Sequence, residues 1–202
     1  DIAMALKPRS SRKSQLSLFQ NTLLGLTFSA ATLSLMTASA GADFKAGALA
    51  YESTDFAKAL SEWTTSAREG DAKSQYNLGI LYDSGKGVQR NVTIAVHWWQ
   101  KAARQDLPEA QHNLASALIA GDGIKQNYRQ AWKWLAKAAQ NGLARSQYTL
   151  AKLYIHGLGV PKHDGRAGQW MLRAATQGDT RAMYNLGKMY RDGIGFQPSE
   201  IS

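Results

Sequence analysis

The sequence predicts an all-α protein assembled as a row of antiparallel helix pairs, and three observations carry that prediction. A segment recurs at a 36-residue step: SQYNLGILYDSGKGV (74–88), AQHNLASALIAGDGI (110–124), SQYTLAKLYIHGLGV (146–160) and AMYNLGKMYRDGIGF (182–196). A fixed period of this size marks architectures made of stacked units. Within each unit the apolar residues fall three and four apart, the spacing of one helix face. Each copy also closes on a Gly-x-Gly turn.

The turn raises a functional question, because Gly85-Lys86-Gly87 has the look of a phosphate loop. Gly121 and Gly123 instead enclose Asp122, Gly157 and Gly159 enclose Leu158, and Gly193 and Gly195 enclose Ile194. A phosphate cradle does not exchange its lysine for an acid or an aliphatic, and no GK[ST] follows any copy. The glycines are expected to terminate helices, since glycine enters the left-handed conformation without a Cβ penalty.

The first helix of each pair, helix A, carries Leu78, Leu81 and Tyr82, repeated as Leu114, Ala117 and Leu118, then Leu150, Leu153 and Tyr154. The second, helix B, carries Ala95, Trp98, Trp99, Ala102 and Ala103 as one apolar stripe, which returns around Trp134 and around Trp170. Asn91 and Asn127 are expected N-caps, with Asp164 close to the third such place. Pro108 suits the first turn of a helix A. Residues 56–71 supply an earlier helix B, capped by Asp55 and aligned through Ala59, Trp63 and Ala67. Asp43–Tyr51 is its expected helix A. The pairs run over about 43–70, 71–106, 107–142 and 143–178, with a partial unit at 179–196 and a tail at 197–202. Alanine and glycine at 79, 115, 151 and 187 let backbones approach, and the tryptophans are expected in the core. Since one pair buries too little apolar area to fold alone, each is expected to complete its neighbours' core. The last unit shows a helix A and its turn but no helix B before FQPSEIS, so the expectation is a fragment, or a partner over that end.

Residues 1–40 differ in kind. Lys7, Arg9, Arg12 and Lys13 precede the uncharged stretch Leu16–Met36, and Ala38-Ser39-Ala40 offers a cleavage site. These are the three parts of a secretory signal. The expectation is a secreted or periplasmic protein cleaved after Ala40; the alternative is a membrane anchor formed by an uncleaved helix. Removing residues 1–40 leaves 20 basic and 14 acidic residues, a charge of +6. A modest positive excess favours acidic partners, and no basic block points to nucleic acid. With no cysteine in the 202 residues, disulfides, thiol catalysis and cysteine–zinc sites are excluded.

The pattern A-x-x-x-L-G-x-x-Y-x-x-G-x-G-V followed by A-x-x-W-x-x-x-A-A-x-x-G, recurring over 44–196, resembles the Sel1-like repeat, a relative of the tetratricopeptide repeat. The resemblance implies a right-handed α-solenoid. Its members mostly act as adaptors and scaffolds, often in bacterial export and envelope pathways, with no catalytic residue and no cofactor. Some cysteine-rich secreted relatives are linked to penicillin binding, an activity not carried over to a chain without their disulfides.

A helical wheel turns a second column of helix A away from the core: Tyr76, Ile80 and Asp83; His112, Ser116 and Ile119; Tyr148, Lys152 and Ile155; Tyr184, Lys188 and Arg191. Helix A lines the concave side of such solenoids, so these residues are candidates for binding a protein or peptide. They could equally pack on the next helix A. Helix B presents Lys101, Lys137 and Arg173, a candidate anion-binding row or simply a solvated face. The histidines 97, 112, 156 and 163 show no metal-ligand spacing, and no nucleophile or general acid has a recognisable setting. The expected function is a protein-interaction scaffold, not an enzyme. The alternative is binding or processing of cell-wall glycan, either peptidoglycan or an acidic polysaccharide.

Overall fold

The computed structural model describes residues 44–195. The expected signal segment and the tail at 197–202 lie outside them. Nine helices follow one another without a strand among the described residues: α1 (44–52), α2 (Phe56–Arg68), α3 (Ala72–Ser84), α4 (Val92–Arg104), α5 (Pro108–Ala120), α6 (Tyr128–Gln140), α7 (Ala144–His156), α8 (Asp164–Thr176) and α9 (Thr180–Arg191). Odd-numbered helices are of type A and even-numbered ones of type B. None of the described helices is long and apolar enough to cross a membrane.

Each helix packs on its sequence neighbours, α2 on α3, α3 on α4 and so on to α9, which is how stacked pairs share one continuous core. From α2 to α8 every helix has 13 residues, so equivalent side chains of successive units fall level with one another. Leu78, Leu81, Leu114, Leu118, Leu135, Leu150 and Met171 are the large residues sealed from solvent along this core.

The helix ends follow the sequence with one correction. Asp55, Asp71, Asn91, Asn127 and Asp179 each accept a first-turn amide, and Pro108 begins α5. The third B-helix cap is His163 rather than Asp164: its Nδ1 accepts from Arg166 N at 3.2 Å, and Asp164 becomes the first helical residue. The equivalent position to Asn91 and Asn127 is residue 163, so the repeat outranks the better capping residue beside it.

The two glycines of each turn divide their labour, a difference from the expectation that both stop helices. Gly85, Gly121 and Gly157 are left-handed C-caps with φ of 72°, 76° and 65°. The second glycines are also left-handed, but they sit against the start of the preceding helix B. A Cβ on Gly87 would lie 2.6 Å from the Phe56 carbonyl, and one on Gly123 would lie 2.8 Å from that of Val92. Gly159 and Gly195 meet Tyr128 and Asp164 in the same way. These glycines join one unit to the next.

The tryptophans also divide. Trp63 and Trp99 are core, whereas Trp98, Trp132, Trp134 and Trp170 are half-buried, contrary to their assignment to the core. The reason is register: at the inward position of helix B the later units carry Leu135 and Met171, and their tryptophans fall one residue earlier, at the edge of the stripe. A Cβ on Gly79 would overlap the Trp99 indole, as one on Gly47 would overlap Trp63. The equivalent pairs are Ala115 with Leu135 and Ala151 with Met171. A larger knob is matched by a smaller seat.

Candidate functional site

Successive A helices lie side by side and leave a series of depressions between them. Tyr76, Asn77 and Ile80 of α3 meet Ala48, Tyr51 and Glu52 of α1 around one of about 320 Å³. Asp83 faces Asn113, Ser116 and Ala120 of α5 across another of about 270 Å³, with Trp99 at its edge. Tyr148, Lys152 and Ile155 of α7 face Asn185, Lys188 and Met189 of α9 across a third of about 380 Å³. Of the outward column inferred from the helical wheel, Tyr76, Ile80, Asp83, Ser116, Tyr148, Lys152, Ile155 and Lys188 line these three hollows, whereas His112, Ile119, Tyr184 and Arg191 do not, and several members also pack on neighbouring units. Tyr76 and Ile80 rest against the core of the following unit, and Ile119 is half-buried in the same way. Tyr148 is covered by the Arg181 guanidinium at 4.7 Å and by Lys152 at 5.8 Å. Tyr184 is exposed, at 75%, unlike the half-buried Tyr76, His112 and Tyr148.

His112 is a half-buried member of the aromatic column. Its Nδ1 lies 2.9 Å from the Ser146 hydroxyl of the next helix A. Burial, reinforced by Arg145 and Arg181 nearby, holds its pKa down to about 4, so the ring is neutral at physiological pH.

Charge along the face is graded. Around α3 and α5 the acids Asp83 and Asp122 are bridged by Arg90, at 3.6 and 3.8 Å. Between α7 and α9 the balance is basic. Asp192 there is engaged by Arg191 at 3.0 Å, while among the described residues Lys152 and Lys188 have no carboxylate partner.

One column escaped the sequence reading. Asn77, Asn113, Thr149 and Asn185 recur at the 36-residue step immediately after the aromatic column, and the three asparagines line the hollows. The repeat itself was the available signal. Asn185 donates to the Arg181 carbonyl at 2.7 Å. The Asn77 and Asn113 amides make no hydrogen bond among the described residues, and an amide offers a donor and an acceptor together.

On the opposite side the candidate anion row is partly engaged. Lys101 stacks over Trp98 at 4.6 Å, Lys137 over Trp134 at 5.3 Å and Arg173 over Trp170 at 4.7 Å. Lys137 also meets Asp106 at 3.6 Å. A shallow apolar hollow of about 190 Å³ lies at Gln130, Lys133, Trp134 and Lys137. Among the described residues no group of three or more His, Asp or Glu converges as a metal site would require.

The Sel1 repeat family model matches residues 72–107, 108–143, 144–179 and 180–201. A Sel1 repeat protein from Oxalobacter formigenes is 35% identical, over 75% of this chain and 62% of that one, with a TM-score of 0.71. The protein c5321, a protective antigen present in uropathogenic Escherichia coli strains and displaying an SLR fold, is 32% identical over 80% of this chain and 35% of that one, with a TM-score of 0.75. This chain thus spans less than two thirds of either structure. Helicobacter pylori cysteine rich protein B shares the fold at 18% identity and a TM-score of 0.53, over 64% of this chain and 96% of that one. Among proteins of curated function none matches. The four consecutive repeats, with the stacked helix pairs they form, place this chain in the Sel1 repeat family.

Proposed function

We propose that the chain is an exported interaction scaffold that holds an extended, acidic segment of another protein along its A-helix face, without catalysis. The observation that carries this reading is the hollow between α7 and α9, where Lys152 and Lys188 stand beside the Tyr148 ring and the Asn185 amide without a carboxylate partner among the described residues. Tyrosine supplies contact area at low entropic cost, and the asparagines suit a peptide main chain, which also alternates donor and acceptor. Helices packed about 8–10 Å apart match an extended chain rising about 3.3 Å per residue, so one A helix meets every third residue. Export rests on the basic, apolar and small-residue segments of residues 1–40. An array of twelve-residue peptides graded in acidity, probed with the purified chain, tests the proposal. Acidic peptides are retained, and Lys152→Glu with Lys188→Glu abolishes retention while the helical signal is unchanged. Retention indifferent to both peptide charge and this reversal sinks it.

The outer row favours a second reading. Three cation-capped tryptophans at equal sequence spacing suit an acidic glycan, with rings against sugars and cations against carboxylates. Sedimentation with insoluble peptidoglycan at low and high salt separates the two: salt-sensitive retention lost in Trp134→Ala supports the glycan, and no retention leaves the peptide reading.

A further inference from the structure

The A-helix face changes character along the array, and equivalent positions of the repeat show where. One column runs Ile80, Ser116, Lys152, Lys188, and another runs Asp83, Ile119, Ile155, Arg191. At the start of helix A the residues are Lys73, Glu109, Arg145 and Arg181. The α7–α9 hollow is the basic end.

The α1–α3 hollow has the opposite make-up. Tyr51, Trp63 and Tyr76 wall it, the Asn77 amide lies in it, and Glu52 is the charged residue of its lining. Neither Glu52 nor Glu109 makes an ion pair among the described residues. In the α3–α5 hollow, by contrast, Arg90 already bridges Asp83 and Asp122.

Tyr76 and Tyr148 are equivalent rings with different cover. Arg181 and Lys152 lie over Tyr148, at 4.7 and 5.8 Å. The positions that would bring those cations to Tyr76 hold Glu109 and Ile80, and among the described residues no cation lies over its ring. Tyr51 does carry one: Lys86 Nζ is 5.0 Å from its ring centre and 3.0 Å from its hydroxyl. Such rings attract cations through their quadrupole, and a nearby carboxylate adds to the attraction.

We propose that the α1–α3 hollow is a subsite for a lysine or arginine side chain of the bound segment, seated on Tyr76 with its charge toward Glu52. This subsite presupposes the peptide groove and supplies its second charge, so the segment is basic at one end and acidic at the other. The two hollows are three A-helix spacings apart, about 24–30 Å, or roughly eight residues of extended chain.

Fluorescence anisotropy with the complete chain tests it. One peptide carries glutamates and a lysine about eight residues away, made in both chain orders; its control has glutamine for that lysine. The native chain binds the lysine peptide in one order or both roughly fivefold more tightly than its control, the upper range for one exposed ion pair. High salt shrinks the advantage. Glu52→Lys reverses the preference and leaves control binding unchanged; Glu52 is exposed and unpaired, so the fold is kept. Equal binding of lysine peptide and control by the native chain, with Lys152→Glu and Lys188→Glu still abolishing both, overturns the subsite and leaves the groove. A preference unchanged in Glu52→Lys overturns the subsite as well. Binding of neither peptide overturns groove and subsite together.

Discussion

Gly79 and Trp99 occupy complementary space: the glycine of α3 lies so close under the buried indole of α4 that no Cβ fits between them. Gly79→Ala is therefore an overpacking change, expected to destabilise by about 1–3 kcal/mol even though alanine is the better helix former. Adding Trp99→Leu recreates the pairing of Ala115 with Leu135 and recovers much of the loss. Urea denaturation of the two single variants and the double variant measures the coupling, and strict additivity would show that the pair is not matched.

A glutamine relay ties the units together and is broken once. Gln105 Nε2 donates to Gln75 Oε1 at 2.9 Å, and Gln177 Nε2 donates to Gln147 Oε1 at 2.8 Å. The residue equivalent to 105 and 177 in the unit between them is Asn141, one methylene shorter, and Gln111 Oε1 is buried there without a partner. Asn141→Gln is expected to stabilise by roughly 1 kcal/mol, the net worth of a buried hydrogen bond. Thermal melting checks it, with the exposed Gln140→Asn as a neutral control.

The turn glycines make separable predictions. Gly142 has φ of 90° and open space around it, so Gly142→Ala costs only left-handed strain, about 1–2 kcal/mol. Gly123→Ala adds a collision with the Val92 carbonyl and is expected to cost clearly more. Equal losses in the two variants would remove the inter-unit role assigned to the second glycine.

His112 confers acid sensitivity. The ring is neutral in the fold, with a pKa of about 4 against 6.5 in the unfolded chain. Between these values the unfolded chain binds the extra proton, so stability is intact above about pH 6.5, falls as pH drops toward 4 and levels off below it. With partial solvent screening the loss is roughly 1–2 kcal/mol. Melting curves of the native chain and His112→Gln are expected to diverge at pH 7 and converge toward pH 4, relative to their common acid trend.

Much of this was legible from period alone. Equal spacing aligned the leucines of helix A, the caps at Asn91 and Asn127 and the outward column at 76, 112, 148 and 184. Pairwise matching was not legible, because Trp98 and Trp99 look alike in a stripe and only the partner helix decides which one is core. Residue 106 makes the same point: Gly70, Gly142 and Gly178 hold the left-handed junction in other units, while Asp106 holds it at φ 60° and bonds Gln111 Nε2 at 3.2 Å. The site was half legible. The wheel put Tyr148, Lys152 and Lys188 on the face that borders the α7–α9 hollow, but which cations among the described residues lack a carboxylate depends on Arg90 reaching Asp83 and Asp122 and on Arg191 engaging its neighbour Asp192.

The side of the array that meets a partner separates the A-helix groove from the outer tryptophan row. Titration of the isotope-labelled chain with the tightest acidic peptide from the array, followed by amide shifts, reads this in one measurement. Shifts centred on Tyr148, Lys152, Asn185 and Lys188 are the predicted result. Shifts centred on Trp134, Lys137 and Arg173, with the α7–α9 hollow silent, would contradict it.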